Sequence, residues 1–360
     1  MGWTLVALRR LRSDLAPTAG VLVLVLVTAL LAALAPRVLA TLADSAVRGA
    51  VNEAPVQVRN IAVLENGIMP PTTGADPLEQ IHAAGADLLS TFPSRLRNLV
   101  TGTDAVVDSA RYRLNKDTTD PAFIRFRVQE GVADHIQYVE GRAPSATVTT
   151  RDGVGTQHAN NVPVYETGVS KDTADRFGLA VGDEIQLTGD PSDPLLGRNA
   201  GDVYAFTTVT GIYDVANPGD DYWFNDPLPI HPVIRALSLE NQLLDAVLLV
   251  DPAVHERLAD DARKIERSLA YQWRYTVDTR AVTAANAPGL ATAFRRLNVL
   301  YPSPNVTVSS SVQVLGWLQS GEPVMGIAPD QPAKVFFIGD VNGIEAVPQP
   351  LVDNLIAWGF

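Results

Sequence analysis

The chain has 360 residues, 46% of them apolar, which is enough for a membrane segment and either one large domain or two packed subdomains. It carries 28 Lys and Arg against 40 Asp and Glu, for a formal net charge of −12, so the basic face that a nucleic-acid partner requires is not expected. Because cysteine is absent, disulfide scaffolds, thiol catalysis and cysteine-ligated metal sites are excluded.

The first predicted element is a membrane-spanning helix over residues 15–35. This run contains no charged residue, and its roughly 31 Å length as a helix matches a bilayer core of about 30 Å. Arg9, Arg10 and Arg12 precede it, so the positive-inside rule places residues 1–14 in the cytoplasm and the bulk of the chain outside. A cleaved signal peptide is the alternative, but the run exceeds the roughly 7–15 residues usual for one.

A stalk helix is predicted to continue the membrane helix over residues 36–55. Its apolar residues recur at three- and four-residue spacings, which is the pattern of one helical face: Leu39, Leu42, Ala43, Ala46, Val47, Ala50 and Val51. The sequence therefore predicts that the membrane helix leaves the bilayer without a break.

Residues 56–318 alternate strand and helix patterns, which predicts an α+β domain of two α/β subdomains. Residues 56–64 are predicted to form the first strand, and residues 123–128 a strand with charge on one face. No structure is predicted for residues 319–360 beyond a short strand candidate at residues 335–338, and this segment contains no apolar run of about 18 residues.

Two helices of this domain carry clear end signals. Ser170 can cap a helix that runs to Phe177, Gly178 can end it in a left-handed conformation, and Gly182 lies in the turn that follows. Asp251-Pro252 can open a second helix, predicted to reach about residue 270.

Five stretches together resemble the actinobacterial branch of FtsX-like ABC transporter permeases and their MacB-like extracytoplasmic domain. They are Leu8-Arg-Arg-Leu-Arg12 with the apolar run and stalk, Val139-Glu-Gly-Arg-Ala-Pro144, residues 169–183, Val209-Thr-Gly-Ile-Tyr-Asp214 leading to Asp220-Asp-Tyr-Trp223, and Trp273-Arg-Tyr-Thr-Val277. Their order and spacing over residues 8–318 carry the resemblance.

The resemblance implies a non-catalytic subunit in the cell membrane, with the lipid bilayer, an ABC ATPase subunit and other permease helices as partners. Such permeases have further membrane helices, the next shortly after a position like Leu318, and this sequence has none there. The expectation is therefore a permease subunit or a truncated copy, with substrate unknown. The alternative is a stand-alone membrane-anchored binding or sensor protein.

No catalytic, cofactor-binding or metal-binding residue is predicted, and no cofactor. The chain lacks a P-loop and a G-x-S-x-G elbow, and its five histidines are scattered. Clustered carboxylates in two loops have the chemistry to bind calcium, but solvated turns are favoured: Asp190, Asp193 and Asp202 in one loop, and Asp214, Asp220, Asp221 and Asp226 in the other. Residues 222–224, Tyr-Trp-Phe, are interpreted as a core plug rather than an exposed contact patch.

Overall fold

The computed structural model describes residues 15–72, 74–116, 118, 120–152, 161–191, 202–236, 242–300, 306–309, 314–317, 323–328 and 335–338. The predicted cytoplasmic segment, residues 1–14, lies outside these residues. The described chain falls into two compact units. The first contains the N-terminal helix and Thr279–Gly289, and the second contains Ala54–Asp278 and the residues after Gly289.

The first unit is dominated by helix α1 (Leu15–Glu53), which is 39 residues long. At 1.5 Å per residue it extends about 58 Å, well beyond a hydrocarbon core of about 30 Å. An 18-residue window within its Ala19–Glu53 part has a mean hydropathy of 2.5, and this is, within the described chain, the one helix long and apolar enough to cross a membrane. The helix continues through Pro36, where the predicted stalk begins.

The second unit combines short helices with a large sheet. Its helices are α2 (Val56–Arg59), α3 (Glu79–Thr91), α4 (Ser94–Arg97), α5 (Lys171–Phe177) and α6 (His255–Lys264), and α7 (Ala287–Leu300) begins in the first unit. Its strands in the sheet are β1 (Ile61–Gly67), β2 (Val100–Asp108), β3 (Tyr112–Leu114), β4 (Ala122–Gln129), β5 (Ile136–Gly141), β6 (Val148–Arg151), β7 (Val162–Ser170), β8 (Glu184–Gly189), β9 (Val203–Val215), β10 (Val233–Ala236), β11 (Gln242–Leu249), β12 (Leu269–Val277) and β13 (Val306–Ser309).

Six of these strands close into a ring. The order along the sheet is β10-β11-β7-β9-β8-β3-β4-β2-β12-β1-β13, and β4 also pairs in parallel with β11, which joins β11, β7, β9, β8, β3 and β4 in a circle. Strands β2, β12, β1 and β13 extend from β4 as an open sheet, while β5 and β6 attach to β9 and β7. The predicted α+β class is confirmed; the subdomain division and the boundaries at residues 36, 56 and 318 stay predictions.

The open sheet is held against α3 by aromatic residues of β12. Trp273 Nε1 donates to the carbonyl of Ile81 at 2.8 Å, and the Tyr275 hydroxyl donates to the carbonyl of Gly85 at 2.8 Å. A β-carbon on Gly85 would lie 2.6 Å from Trp273 Cδ1. Gly85 is therefore required for this close approach of helix and sheet.

A second, three-stranded antiparallel sheet lies in the C-terminal segment. It consists of β14 (Val314–Trp317), β15 (Pro323–Ala328) and β16 (Val335–Ile338), with β15 in the centre. The strand candidate at residues 335–338 is thus present, and the other two strands were not predicted.

The predicted first strand, residues 56–64, is wrong in its first half. Val56–Arg59 is a helical turn in which the amides of Val58 and Arg59 donate to the carbonyl of Pro55 at 2.8 and 3.2 Å. Pro55, with φ −53°, starts this turn because its ring fixes φ near the helical value. The strand begins at Ile61, opposite Tyr275 of β12.

The helix predicted over residues 251–270 is shorter than expected. The Asp251 carboxylate accepts from Ala253 N at 2.8 Å, as a cap should, and α6 ends at Lys264. Glu266 has φ 55°, and Leu269 starts β12, opposite Gly67 of β1. Pairing with a strand distant in sequence therefore overrides the local helical pattern.

The predicted helix, turn and strand over residues 170–188 are confirmed. The Ser170 hydroxyl accepts from Thr173 N at 3.3 Å at the start of α5, and Gly178 ends the helix with φ 61° and ψ 44°. Gly182 has φ 95°, and β8 begins at Glu184.

We expect Gly178→Val and Gly182→Val each to lower the free energy of unfolding by roughly 1 kcal/mol or more, because a β-carbon is disfavoured at positive φ. A β-carbon at either position meets no atom within 4 Å, so the loss would come from the backbone alone. Gly67→Val is the matched control, since Gly67 has equally open space without a positive φ. Thermal unfolding measures the effect, and unchanged midpoints for both variants would contradict the assigned conformations.

Candidate functional site

A buried charge cluster lies where the ring meets the open sheet. Arg127 of β4 has a side chain only 3% exposed, and it makes two hydrogen bonds to Asp108 of β2, at 2.6 and 2.7 Å. Its third contact is Nη1 to Asp226 Oδ2, at 2.6 Å. Burial raises the pKa of Asp226, but the charge and hydrogen bond of Arg127 outweigh it and hold the pKa below its usual range.

A second buried arginine extends this cluster. Arg274 of β12 donates to the carbonyl of Tyr222 at 3.3 Å and lies 3.5 Å from Asp226 Oδ2, with its guanidinium 5.2 Å from the centre of the Phe224 ring. Burial and the nearby charge of Arg127 lower the pKa of Arg274 to about 10, against the opposing effect of Asp226. Two arginines therefore share one carboxylate beneath the loop that contains it.

That loop, residues 217–226, is called the acidic loop below. Trp223 is its anchor: the side chain is 1% exposed, and Nε1 donates to the carbonyl of Asn217 at 2.9 Å. Asp220 caps the turn by accepting from Tyr222 N at 2.9 Å. Phe224 and Asn225 both have positive φ, 54° and 57°, a conformation that costs energy for residues other than glycine.

The Tyr-Trp-Phe stretch is divided between core and surface. Trp223 is buried, as the core-plug interpretation predicts, whereas Tyr222 and Phe224 are half-buried. The Tyr222 ring stacks on His135 with centroids 3.7 Å apart and planes 3° from parallel, and its hydroxyl donates to the carbonyl of Glu130 at 2.7 Å. The acidic loop is thereby joined to the chain just before β5.

The acidic loop also contacts the start of the second unit. Arg59, the last residue of α2, donates to Asp221 at 2.5 Å. The next residue, Asn60, accepts from Val277 N at 2.9 Å and so ties the same point to β12. The chain that follows α1 is thus linked by side chains to both the acidic loop and the open sheet.

Within the first unit, α1 is attached to the segment Thr279–Gly289. Asp44 Oδ1 accepts from Ala284 N at 2.8 Å. The segment is ordered by its own turn, in which Thr283 N donates to Asn286 Oδ1 at 2.8 Å and Asn286 N donates to Thr283 Oγ1 at 3.2 Å. Asp44 lies beyond residues 15–35, in the predicted stalk.

The carboxylates considered for calcium are used in other ways or lie apart. Asp190 pairs with Arg111 at 2.6 Å, Asp226 belongs to the charge cluster, and Asp193 is outside the described residues. No group of three or more His, Asp or Glu residues with a geometry suited to a metal ion occurs in the part of the chain that the structure describes.

Sequence reasoning missed the partnership of Arg127 and Arg274 with Asp108 and Asp226. The arginines of residues 123–128 were expected on a charged strand face, but Arg127 is buried. Arg125 of the same strand carries the same charge, so the sequence does not single out Arg127, and the two aspartates are 19 and 99 residues away.

Comparison with known proteins found no matching family and no matching curated protein. Among solved structures, the chain is similar to a domain of a protein described as a permease from Porphyromonas gingivalis. The identity is 13%, the TM-score is 0.24, and the match covers 71% of this chain and 90% of that one. A likeness of this size carries no argument about function.

Proposed function

We propose that this chain is a non-catalytic, FtsX-like permease subunit, which presents a MacB-like domain outside the cytoplasm and couples it to a cytoplasmic ABC ATPase. The observation that carries the proposal is the unbroken helix Leu15–Glu53, hydrogen-bonded through Asp44 to Thr279–Gly289. The proposed partners are the lipid bilayer, the ATPase and other permease helices, and nucleic acid is not one of them.

The length of α1 supports a mechanical role. Of its roughly 58 Å, about 28 Å remain after a bilayer core of about 30 Å is crossed. A helix that continues without a break transmits tilt or axial movement along its length. Thr279–Gly289, which Asp44 holds, follows β12 in sequence and contains the first residues of α7, so a movement of the helix would be passed along the chain to both elements.

We expect the apolar part of α1 to remain in the mature protein as a single-pass anchor with its N-terminus in the cytoplasm. The length of the run and the arginines before it favour this, although signal sequences share the same apolar character. N-terminal sequencing of the protein from the membrane fraction tests it. A mature chain that starts near Thr41 would show that the helix is cleaved.

We also expect an ABC ATPase and a further membrane subunit to co-purify with the chain from native membranes in mild detergent. In that complex, Asp44→Ala should leave assembly intact, because it removes only the hydrogen bond from Ala284 N to α1. It should weaken the coupling between the outer domain and the rate of ATP hydrolysis. Arg48→Ala, one helical turn further on, is the control. Recovery of the chain alone would overturn the permease proposal and favour a stand-alone anchored binding or sensor protein.

A further inference from the structure

Strand β5 lies at an edge of the sheet. One side pairs with the C-terminal half of β9, from Ile136 opposite Val215 to Gly141 opposite Gly211. Across the described ranges, no strand pairs with its other side. An open strand edge presents unpaired backbone donors and acceptors, which makes it a template for the addition of another strand.

The position of β5 is fixed by one aromatic side chain. Tyr138 packs over two glycines: a β-carbon on Gly211 would lie 2.5 Å from Tyr138 Cδ1, and one on Gly168 would lie 2.6 Å from the Tyr138 hydroxyl. Its ring also meets Tyr213 edge to face, with centroids 6.0 Å apart. A strand held in this way loses little conformational entropy when a partner pairs with it.

The usual means of protecting an edge strand are mostly missing from β5. Its sequence, IQYVEG, contains neither lysine nor proline. It has one irregularity, a register shift between Tyr138 and Glu140, and Val139 at that point is 49% exposed. The residues from Ile136 to Tyr138 keep a regular register, and Val139 offers an apolar contact beside them.

The surroundings of β5 are mostly acidic, with two arginines close by that are already paired: Arg59 with Asp221, and Arg142, the residue after β5, with Glu166. Residues 130–141 and 214–221 are adjacent through the pairing of β5 with β9 and through Ala216 N, which donates to the carbonyl of His135 at 3.1 Å. These two stretches contain no Lys or Arg and six carboxylates: Glu130, Asp134, Glu140, Asp214, Asp220 and Asp221. Such a field attracts a cationic strand and repels an acidic one.

We propose that β5 is the docking edge for an extended, Lys- or Arg-bearing segment of another protein, which adds as a strand beside Ile136–Gly141. Backbone hydrogen bonds would pair the added strand with β5, and Val139 would make an apolar contact with it. The carboxylates would select a segment that carries positive charge. This inference rests on the proposed action by contact and specifies the chemistry of the partner, but it does not require coupling to an ATPase.

The test uses the full chain in nanodiscs of zwitterionic lipid at low salt. The probe is a six-residue peptide of alternating arginine and valine. We expect it to bind and to slow amide hydrogen exchange at residues 136–141. The same peptide with N-methylated backbone nitrogens keeps its charges but loses its strand donors, so it should bind at least about tenfold more weakly. A glutamate and valine peptide should not bind.

Charge-reversal variants test the electrostatic part. Asp134→Lys combined with Glu140→Lys should weaken binding of the arginine peptide by about tenfold or more. Asp260→Lys, at an exposed aspartate on α6, is the matched control and should leave it unchanged. Equal binding of the N-methylated peptide, unaltered exchange at residues 136–141, or indifference to the double variant would overturn the proposal. None of these results changes the outcome of co-purification, so failure here is distinguishable from failure of the permease proposal.

Discussion

Arg127→Ala is expected to lower the free energy of unfolding by about 3–5 kcal/mol, because it leaves Asp108 without its buried cation and Asp226 with only the more distant Arg274. Asp108 and Asp226 both depend on this guanidinium, at 2.6–2.7 Å. For a unit of this size the loss corresponds to a fall of about 6–20 °C in Tm. Thermal unfolding of the wild type and the variant under identical conditions measures it.

The dependence of this loss on pH identifies its cause. In the wild type the depressed pKa of Asp226 contributes stability above the unfolded pKa of about 3.9, and this stability is lost as the pH falls. In the variant, burial favours the protonated form of Asp226, and only the more distant Arg274 still opposes it. The penalty of Arg127→Ala should therefore shrink between neutral pH and about pH 4.

Arg142→Ala is the matched control for Arg127→Ala. Arg142 also makes paired hydrogen bonds to a carboxylate, Glu166, at 2.7 Å, but its side chain is 58% exposed. Solvent screening weakens such an exposed pair, so its loss should be clearly smaller than that of the buried cluster. Equal losses for the two variants would show that burial of the Arg127 cluster contributes nothing.

Trp223→Ala should have the second large effect, a loss of about 3–5 kcal/mol. The side chain is fully buried, so truncation removes a large apolar contact and leaves a cavity under the acidic loop. It also removes the hydrogen bond from Nε1 to the carbonyl of Asn217. Denaturant unfolding measures the loss, and amide exchange should become faster at residues 217–226, which Trp223 holds in place.

The neighbouring Tyr222→Phe is the control for this prediction. It removes only the hydroxyl that donates to Glu130 and keeps the ring that stacks on His135. The expected loss is about 1 kcal/mol. If Trp223→Ala is no more destabilising than Tyr222→Phe, then Trp223 does not anchor the acidic loop.

Features that depend on neighbouring residues were predictable from the amino-acid sequence. The uncharged apolar run predicted the long N-terminal helix, since hydrophobicity and length are local properties. Ser170, Gly178 and Gly182 predicted a cap, a helix end and a turn, because each acts on the backbone within a few residues of itself. The alternation of strand and helix patterns was likewise sufficient for the α+β class.

The contacts between segments distant in sequence were not predictable and emerge only in the folded chain. The pairing of β4 with β11 closes the ring across about 120 residues of sequence, and no local pattern specifies that partner. Pairing of β12 with β1 ended the helix predicted to reach residue 270. Arg127 gained Asp108 and Asp226 as partners in the same way. The reason is that propensity and periodicity act over a few residues. Strand pairing and burial of charge depend instead on contacts between residues whose separation in sequence follows no local pattern.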